Sequence, residues 1–188
     1  MTRILGYYST VVAQTHLDWK PFSLLDFGGF GEYNSFKEHL RRGHMDITYK
    51  TATASEIESI FQQSKQLIDT YEDVNAIDYD MVLDWMRRKI TKKIDEYQVI
   101  YADGKKAGYY RFCRNQDGVL EIDDLYIFPD FQSKGIGTKV FQRCCDGTTE
   151  PIMFYVFSRN TRAIALYKRL GFSIHEKVGN TRYIMRKE

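Results

Sequence analysis

Residues 121–140 read E-I-D-D-L-Y-I-F-P-D-F-Q-S-K-G-I-G-T-K-V. A strand-like apolar segment ends at Pro129. A loop then carries Gln132, Gly135 and Gly137 straight into a helix-compatible run. A helix that opens on glycine presents unpaired backbone N–H groups and the positive end of its dipole, which suits a diphosphate. The glycines let the main chain approach an anion with no side chain between them. Two familiar phosphate-binding patterns do not fit. The chain has no G-x-x-x-x-G-K-[ST] run, and Val140 stands where the third glycine of a G-x-G-x-x-G dinucleotide loop belongs.

Further on, residues 152–172 read I-M-F-Y-V-F-S-R-N-T-R-A-I-A-L-Y-K-R-L-G-F. An aromatic and β-branched strand runs into Asn160, a residue type that caps helices. Ala163, Leu166 and Leu170 then form an apolar helical face, and Gly171 fits the stop just past the helix end. The spacing Gln132-x-x-Gly135-x-Gly137 resembles the acetyl-CoA-binding motif of the GNAT family of N-acetyltransferases. The run N-x-x-A-x-x-L-Y-x-x-x-G-F from Asn160 to Phe172 resembles the second motif of that family without a gap. Both occur in the family's order, and the resemblance covers roughly residues 46–188.

The resemblance implies a mixed, mostly antiparallel α/β sheet flanked by helices, with two strands splayed around an acetyl-CoA slot. It places the backbone N–H groups of Lys134, Gly135, Ile136, Gly137 and Thr138 on the diphosphate, with Gln132 and Ser133 beside them. The pantetheine arm is expected to pair as a pseudo-strand with Leu125, Tyr126 and Ile127, whose backbone N–H groups polarise the thioester carbonyl. Asn160 and Ala163 belong to the motif that contacts the arm. Tyr167 sits next to the expected sulfur, where a phenol can protonate the departing thiolate. Counted back from Gln132, Glu121 occupies the position of the glutamate base in histone-acetyltransferase-like relatives. Asp124 resembles the aspartate of some aminoglycoside-acetylating relatives. Strict strand alternation puts Asp123 on the face of Glu121 and Asp124 on the other. The implied activity is direct acetyl transfer from acetyl-CoA to a primary amine. The alternative is a catalytically silent acetyl-CoA-binding sensor.

The resemblance implies that the connection between the first two helices overhangs the acceptor site. Asp69, Glu72, Asp73, Asp78, Asp80 and Asp84 occur there with no Lys or Arg between Gln66 and Met86. With Tyr71 and Tyr79 they form an acidic rim expected to attract a small cationic molecule or a peptide amine. Tyr71, Asp78 and Tyr79 are the candidate substrate contacts.

Composition bounds the rest. The 188 residues, 43% of them hydrophobic and 28% charged, suit one packed domain with a short appendage. A formal net charge of +2 gives no argument for nucleic acid. The basic run from Arg87 to Lys93 reads as a solvated helix face. Cys113, Cys144 and Cys145 make a poor disulfide framework, and the histidines show no zinc-site spacing to them, so no metal is expected. Reduced thiols fit a cytoplasmic protein. No apolar run is long enough for a membrane span. Dimers are common among GNAT relatives, and a homodimer stays open here.

Residues 1–44 stand apart from the domain expected over 45–188. Three readings remain open: a flexible arm, a segment that packs on the domain or a dimer mate, and a mis-annotated start. The third has a specific hint. Arg41-Arg42-Gly43-His44-Met45 can be encoded as a purine-rich ribosome-binding sequence placed before an initiating Met45. Within the domain, strands are expected at 46–51, 97–101, 107–114, 119–128, 152–157, 172–176 and 182–186. Helices are expected at 55–68 with Ser55 as cap, and at 79–94, 137–145 and 161–170. Turns are expected at Asp103-Gly104 and Gly179-Asn180.

Overall fold

The computed structural model describes residues 11–12 and 45–188. The readings made on the rest of residues 1–44 lie outside the described residues. The chain order is β1 (Val11–Val12), β2 (Ile47–Thr51), α1 (Ile57–Tyr71), α2 (Tyr79–Lys92), β3 (Tyr97–Ala102), β4 (Lys105–Arg114) and β5 (Leu120–Ile127). It continues with α3 (Ile136–Asp146), β6 (Ile152–Phe157), α4 (Thr161–Arg169), β7 (Ser173–Val178) and β8 (Arg182–Lys187). The strands lie in the order β2-β3-β4-β5-β6-β8-β7, and β1 adds onto β5. Among these pairs, β5–β6 and β1–β5 are parallel and the others antiparallel. The expected mixed, mostly antiparallel sheet is present.

Side-chain alternation along each strand feeds two cores. On one face, Tyr97, Val99, Tyr109 and Tyr126 pack with Ile60, Phe61 and Ile68 of α1 and Val82, Met86 and Ile90 of α2. On the other, Ile100, Ile122, Leu125, Ile127 and Phe154 pack with Ile136, Val140 and Phe141 of α3 and Ala163, Leu166 and Tyr167 of α4. Each fully buried aliphatic side chain here contributes about 1.5–3 kcal/mol from apolar burial.

Local chemistry sets the element ends. Asp103 and Gly104 both have positive φ, as a tight hairpin between β3 and β4 requires. The cap of the first helical segment differs from expectation. Thr53, not Ser55, forms a capping box with Glu56, and a short 3-10 turn over Ala54–Glu56 leads into α1. The Asp78 side chain caps α2 by accepting the Met81 N–H at 3.1 Å. The Asn160 side chain caps α4 by accepting the Ala163 N–H at 3.1 Å. Among the described residues no helix is long and apolar enough to cross a membrane.

Candidate active site

Strands β5 and β6 pair at only two rungs, Leu120 with Ile152 and Glu121 with Met153. Beyond them they part, so from Ile122 onward this edge of β5 is not paired with β6. Val11 and Val12 pair with Leu125 and Tyr126 on β5. At the far end β4 presses close. A Cβ on Gly108 would stand 2.1 Å from the Tyr126 carbonyl oxygen, so only glycine fits there.

The loop after β5 delivers the mouth of α3. Gln132 Nε2 donates to the Ile127 carbonyl at 2.9 Å, tying the loop back to the strand end. Ser133 and Gly135 both have positive φ. Gly135 is the N-cap, and a Cβ there would meet nothing within 4 Å. Lys139 N–H bonds the Gly135 carbonyl, so the N–H groups of Ile136, Gly137 and Thr138 precede the helical ladder. No acidic residue lies in this first turn. The Lys134 ammonium lies over the Phe131 ring, 5.5 Å from its centroid.

Two features test whether this slot fits a coenzyme A thioester. The space in front of Gly135 is open, as an anion cradle requires. The Asn160 side chain is buried, and its Nδ2 is a buried amide donor without a hydrogen-bond partner among the described residues. Burying such a donor is costly unless a ligand completes it. Both features fit. Ala163 and Tyr167 are fully buried. The Tyr167 ring centroid lies 4.8 Å from that of Phe141 and 4.7 Å from that of Phe154, so the phenol is held by rings from α3 and β6.

The carboxylates of β5 are arranged differently from the alternation expected. Arg111 pairs with Asp123 while Tyr110 pairs with Leu125, which leaves Asp124 as the extra residue of a β-bulge. Asp124 has φ 54°. Asp123 and Asp124 therefore share the α2 face, and both bond Lys89 Nζ, at 3.1 and 2.8 Å. The inserted residue is also what turns Leu125 into the α3 core. Asp123 further accepts from Arg111, and Asp124 accepts from the Tyr97 hydroxyl at 2.5 Å. Burial first, then the Asp123 charge, pushes the Asp124 carboxyl above its usual range, while Lys89 and Tyr97 pull it back. Burial works against the Lys89 ammonium, but Asp123 and Asp124 outweigh it and hold its pKa above the ordinary lysine value.

Glu121 and Asp123 lie in a cleft of about 550 Å³ between α2, β4 and β5 that also touches Trp85, Lys92, Cys113 and Tyr155. Burial, together with the Asp123, Glu121 and Glu96 carboxylates and against the pull of Arg111, raises the Cys113 thiol to about 12, so it stays protonated.

The acidic rim is largely engaged in holding the fold. Asp69 bonds Lys65 and the Tyr79 hydroxyl, Glu72 pairs with buried Arg182, and Asp84 pairs with Arg88. Asp78 is the cap of α2, and Asp73 accepts the Asn75 N–H. Tyr71 stacks on Phe157 with ring centroids 5.5 Å apart. The run Arg87–Lys93 is not simply a solvated face. Arg87 stacks on Phe61, and the Lys89 side chain, mostly shielded from solvent, is paired with Asp123 and Asp124. Lys89, Tyr97 and Arg111 were not among the sequence candidates. One signal was available: Lys89 lies seven residues after Val82, on the stripe that buries Val82 and Met86.

The sequence model of the Acetyltransferase (GNAT) family matches residues 56–172. The chain belongs to the GNAT acetyltransferase family. It is 30% identical over 94 residues to an uncharacterized N-acetyltransferase of Methanocaldococcus jannaschii, a match that covers 45% of this chain and 42% of that protein. The chain thus spans under half the length of that curated relative. An N-acetyltransferase structure from Staphylococcus aureus Mu50 superposes with a TM-score of 0.60 at 15% identity, over 74% of this chain and 99% of that one. A PaiA N-acetyltransferase from Thermoplasma acidophilum, solved in complex with coenzyme A, gives a TM-score of 0.57 at 16% identity, over 77% and 99%. At such identities the likeness establishes the fold.

Proposed function

We propose that this chain is an acetyl-CoA-dependent N-acetyltransferase acting on a primary amine of a small molecule or peptide. The observation that carries this is the β5 edge from which β6 departs, leading directly to the glycine mouth of α3, with an Asn160 amide donor at the start of α4 that has no partner among the described residues. The coenzyme A complex of the Thermoplasma relative supports the same ligand for this slot.

The N–H groups from Lys134 to Thr138 would hold the diphosphate, with Gln132 and Ser133 shaping the loop. The backbone of Leu125, Tyr126 and Ile127 would hold the pantetheine arm, and Asn160 Nδ2 would donate to it. Bound there, acetyl-CoA supplies an activated acyl carbonyl on a sulfur leaving group. Glu121, which lines the cleft, takes the proton of the incoming ammonium through water. The amine nitrogen then bonds the acyl carbon. Backbone N–H groups of Leu125–Ile127 stabilise the charge on the carbonyl oxygen. As the carbon–sulfur bond breaks, Tyr167 would donate its phenolic proton to the sulfur and regain one through water from the acylated nitrogen, which sheds its second proton. The protonated Cys113 thiol supports direct attack by the amine over an acyl-cysteine route.

Two features of the rim and cleft favour an acceptor other than a polyamine. Most of the rim acids already have partners, and the α2 wall of the cleft carries Arg88, Lys89, Lys92 and Lys93. Among the described residues Lys92 has no carboxylate within ion-pair distance. We infer an acceptor that bears few cations beyond its reacting amine and carries a carboxylate or phosphate able to reach Lys92.

The deciding experiment is a thiol-release assay with acetyl-CoA against polyamines, amino acids, peptides and amino-sugar phosphates, beside calorimetry with coenzyme A. Turnover with an anion-bearing amine is expected. Coenzyme binding without turnover on any amine would favour the sensor. Absence of binding would overturn both.

A further inference from the structure

We propose that Asp124 acts through its backbone: the Tyr97–Asp124–Lys89 clamp holds the β5 bulge that sets the slot-facing main chain of Leu125–Ile127, with Lys89 and Tyr97 as positioning residues. The inference rests on the slot reading above but reaches it through Lys89 and Tyr97, which no motif assigns.

The argument starts from a backbone conformation. Asp124 is a non-glycine residue at φ 54°, one residue before the open edge begins to serve as the slot wall. Left-handed backbone is unfavourable for L-residues, and Asp and Asn tolerate it best because their short polar side chains find local bonds. Such strained residues persist only where the surroundings over-determine them. Here the surroundings do so from two separate elements. Tyr97 of β3 donates to Asp124 Oδ2 at 2.5 Å, and Lys89 of α2 lies 2.8 Å from the same oxygen. Lys89 also reaches Asp123 at 3.1 Å, and Arg111 of β4 bonds Asp123 from the paired strand. The participating side chains of Lys89, Asp123 and Asp124 are 13%, 5% and 10% exposed.

A buried ion cluster is weak support for stability, since well-packed apolar residues often do as well. What apolar side chains cannot do is select one backbone conformation at a residue that would otherwise leave it. The clamp selects the bulge, and the bulge fixes which way the next main-chain amides face. A donor preorganised toward a developing oxyanion is where an acyltransferase gains most. This reassigns Asp124 from a candidate base to a residue whose φ matters more than its charge.

The test separates φ from charge with three substitutions in the full chain. Asp124→Asn keeps the tolerance for positive φ and a Tyr97 acceptor. Asp124→Gly keeps only the φ. Asp124→Ala keeps neither, while Asp123 remains on Lys89 in all three. With the amine found by the assay above, kcat of the Asn variant is expected within about threefold of the parent, because it tolerates positive φ and keeps a Tyr97 acceptor. The Gly variant, which permits that φ but no longer bonds the clamp, is expected to fall between the Asn and Ala variants. The Ala variant is expected to lose about tenfold or more. The readout without turnover is amide hydrogen exchange in the free protein. Leu125 and Tyr126 should exchange faster in Asp124→Ala than in Asp124→Gly. Tyr97→Phe, which keeps the ring, should also accelerate exchange there and carries the test if the Ala variant does not fold. Equal loss of turnover in all three Asp124 variants, or unchanged exchange in both Asp124→Ala and Tyr97→Phe, overturns the proposal. Coenzyme A binding by the parent chain is measured beside them, so a failed slot reading is seen separately.

Discussion

At Tyr167, packing and chemistry can be separated by removing one oxygen. The ring is fully buried among Phe141, Phe154 and Phe172, so phenylalanine keeps its contacts with that cluster. If the phenol protonates the leaving sulfur, Tyr167→Phe lowers kcat by roughly 10²-fold, the lower end of general acid catalysis. The dissociation constant for coenzyme A should stay within about twofold, since main-chain groups of α3 are proposed to hold the diphosphate. A calorimetric titration beside steady-state kinetics checks both halves. Unchanged kcat removes the phenol from the mechanism. The placement of Asn160 as the cap of α4 and of Tyr167 on its buried face was legible because both sit in an ungapped motif. Asp124 was not. Two adjacent aspartates look the same in a flat strand and in a bulge, and only pairing with β4 shows which is extra.

Elements repeat this division between local and distant causes. The hairpin at Asp103-Gly104, the Asp78 and Asn160 caps and the apolar stripes of all four helices depend on neighbours along the chain, and the sequence spacing predicts them. The partner of Glu72 is Arg182, at the start of β8, and no local pattern announces it. The first cap fell between these cases, since Thr53 and Ser55 are both capping types. Glu56 decided it by bonding both Thr53 N–H, at 2.9 Å, and the Thr53 hydroxyl. Hydrogen bonds from Lys106 first, then from Thr53, lower the Glu56 carboxyl to about 2. A depressed pKa in the folded state gives stability that is present above the unfolded pKa. It is lost as pH falls through the folded one. Glu56→Ala should therefore cost about 1 kcal/mol at neutral pH, a typical capping loss, or about 2–4 °C in Tm. The deficit should narrow as pH falls from about 4.5 toward 2, and added salt should shrink the Lys106 share. A deficit that does not change with pH would mean the box holds by packing and not by charge.

At the scale of the whole molecule, the chain supplies its own strand where the proposed function needs a ligand. An open sheet edge presents unpaired N–H and C=O groups and recruits whatever strand can reach it. On β5 that strand is Val11–Val12, in parallel register with Leu125 and Tyr126. The pantetheine arm is proposed to bond the same backbone groups, so the two occupants exclude each other. Coenzyme affinity is then reduced by the fraction of molecules whose edge is free. A strand of two residues is a weak competitor, because so short a pair is marginal by itself. Proline at both positions removes the N–H donors and fixes φ away from a regular strand. The full chain carrying Val11→Pro and Val12→Pro should bind coenzyme A several-fold more tightly, on the order of threefold to tenfold for an edge occupied most of the time. Its intrinsic kcat should be unchanged, since no group proposed to touch the reacting atoms is altered. Hydrogen exchange gives the reciprocal reading: saturating coenzyme A should release the amides of Val11 and Val12 in the parent chain. If the doubly substituted chain binds with the parent's affinity and those amides are indifferent to ligand, β1 is no barrier and the slot is open without it.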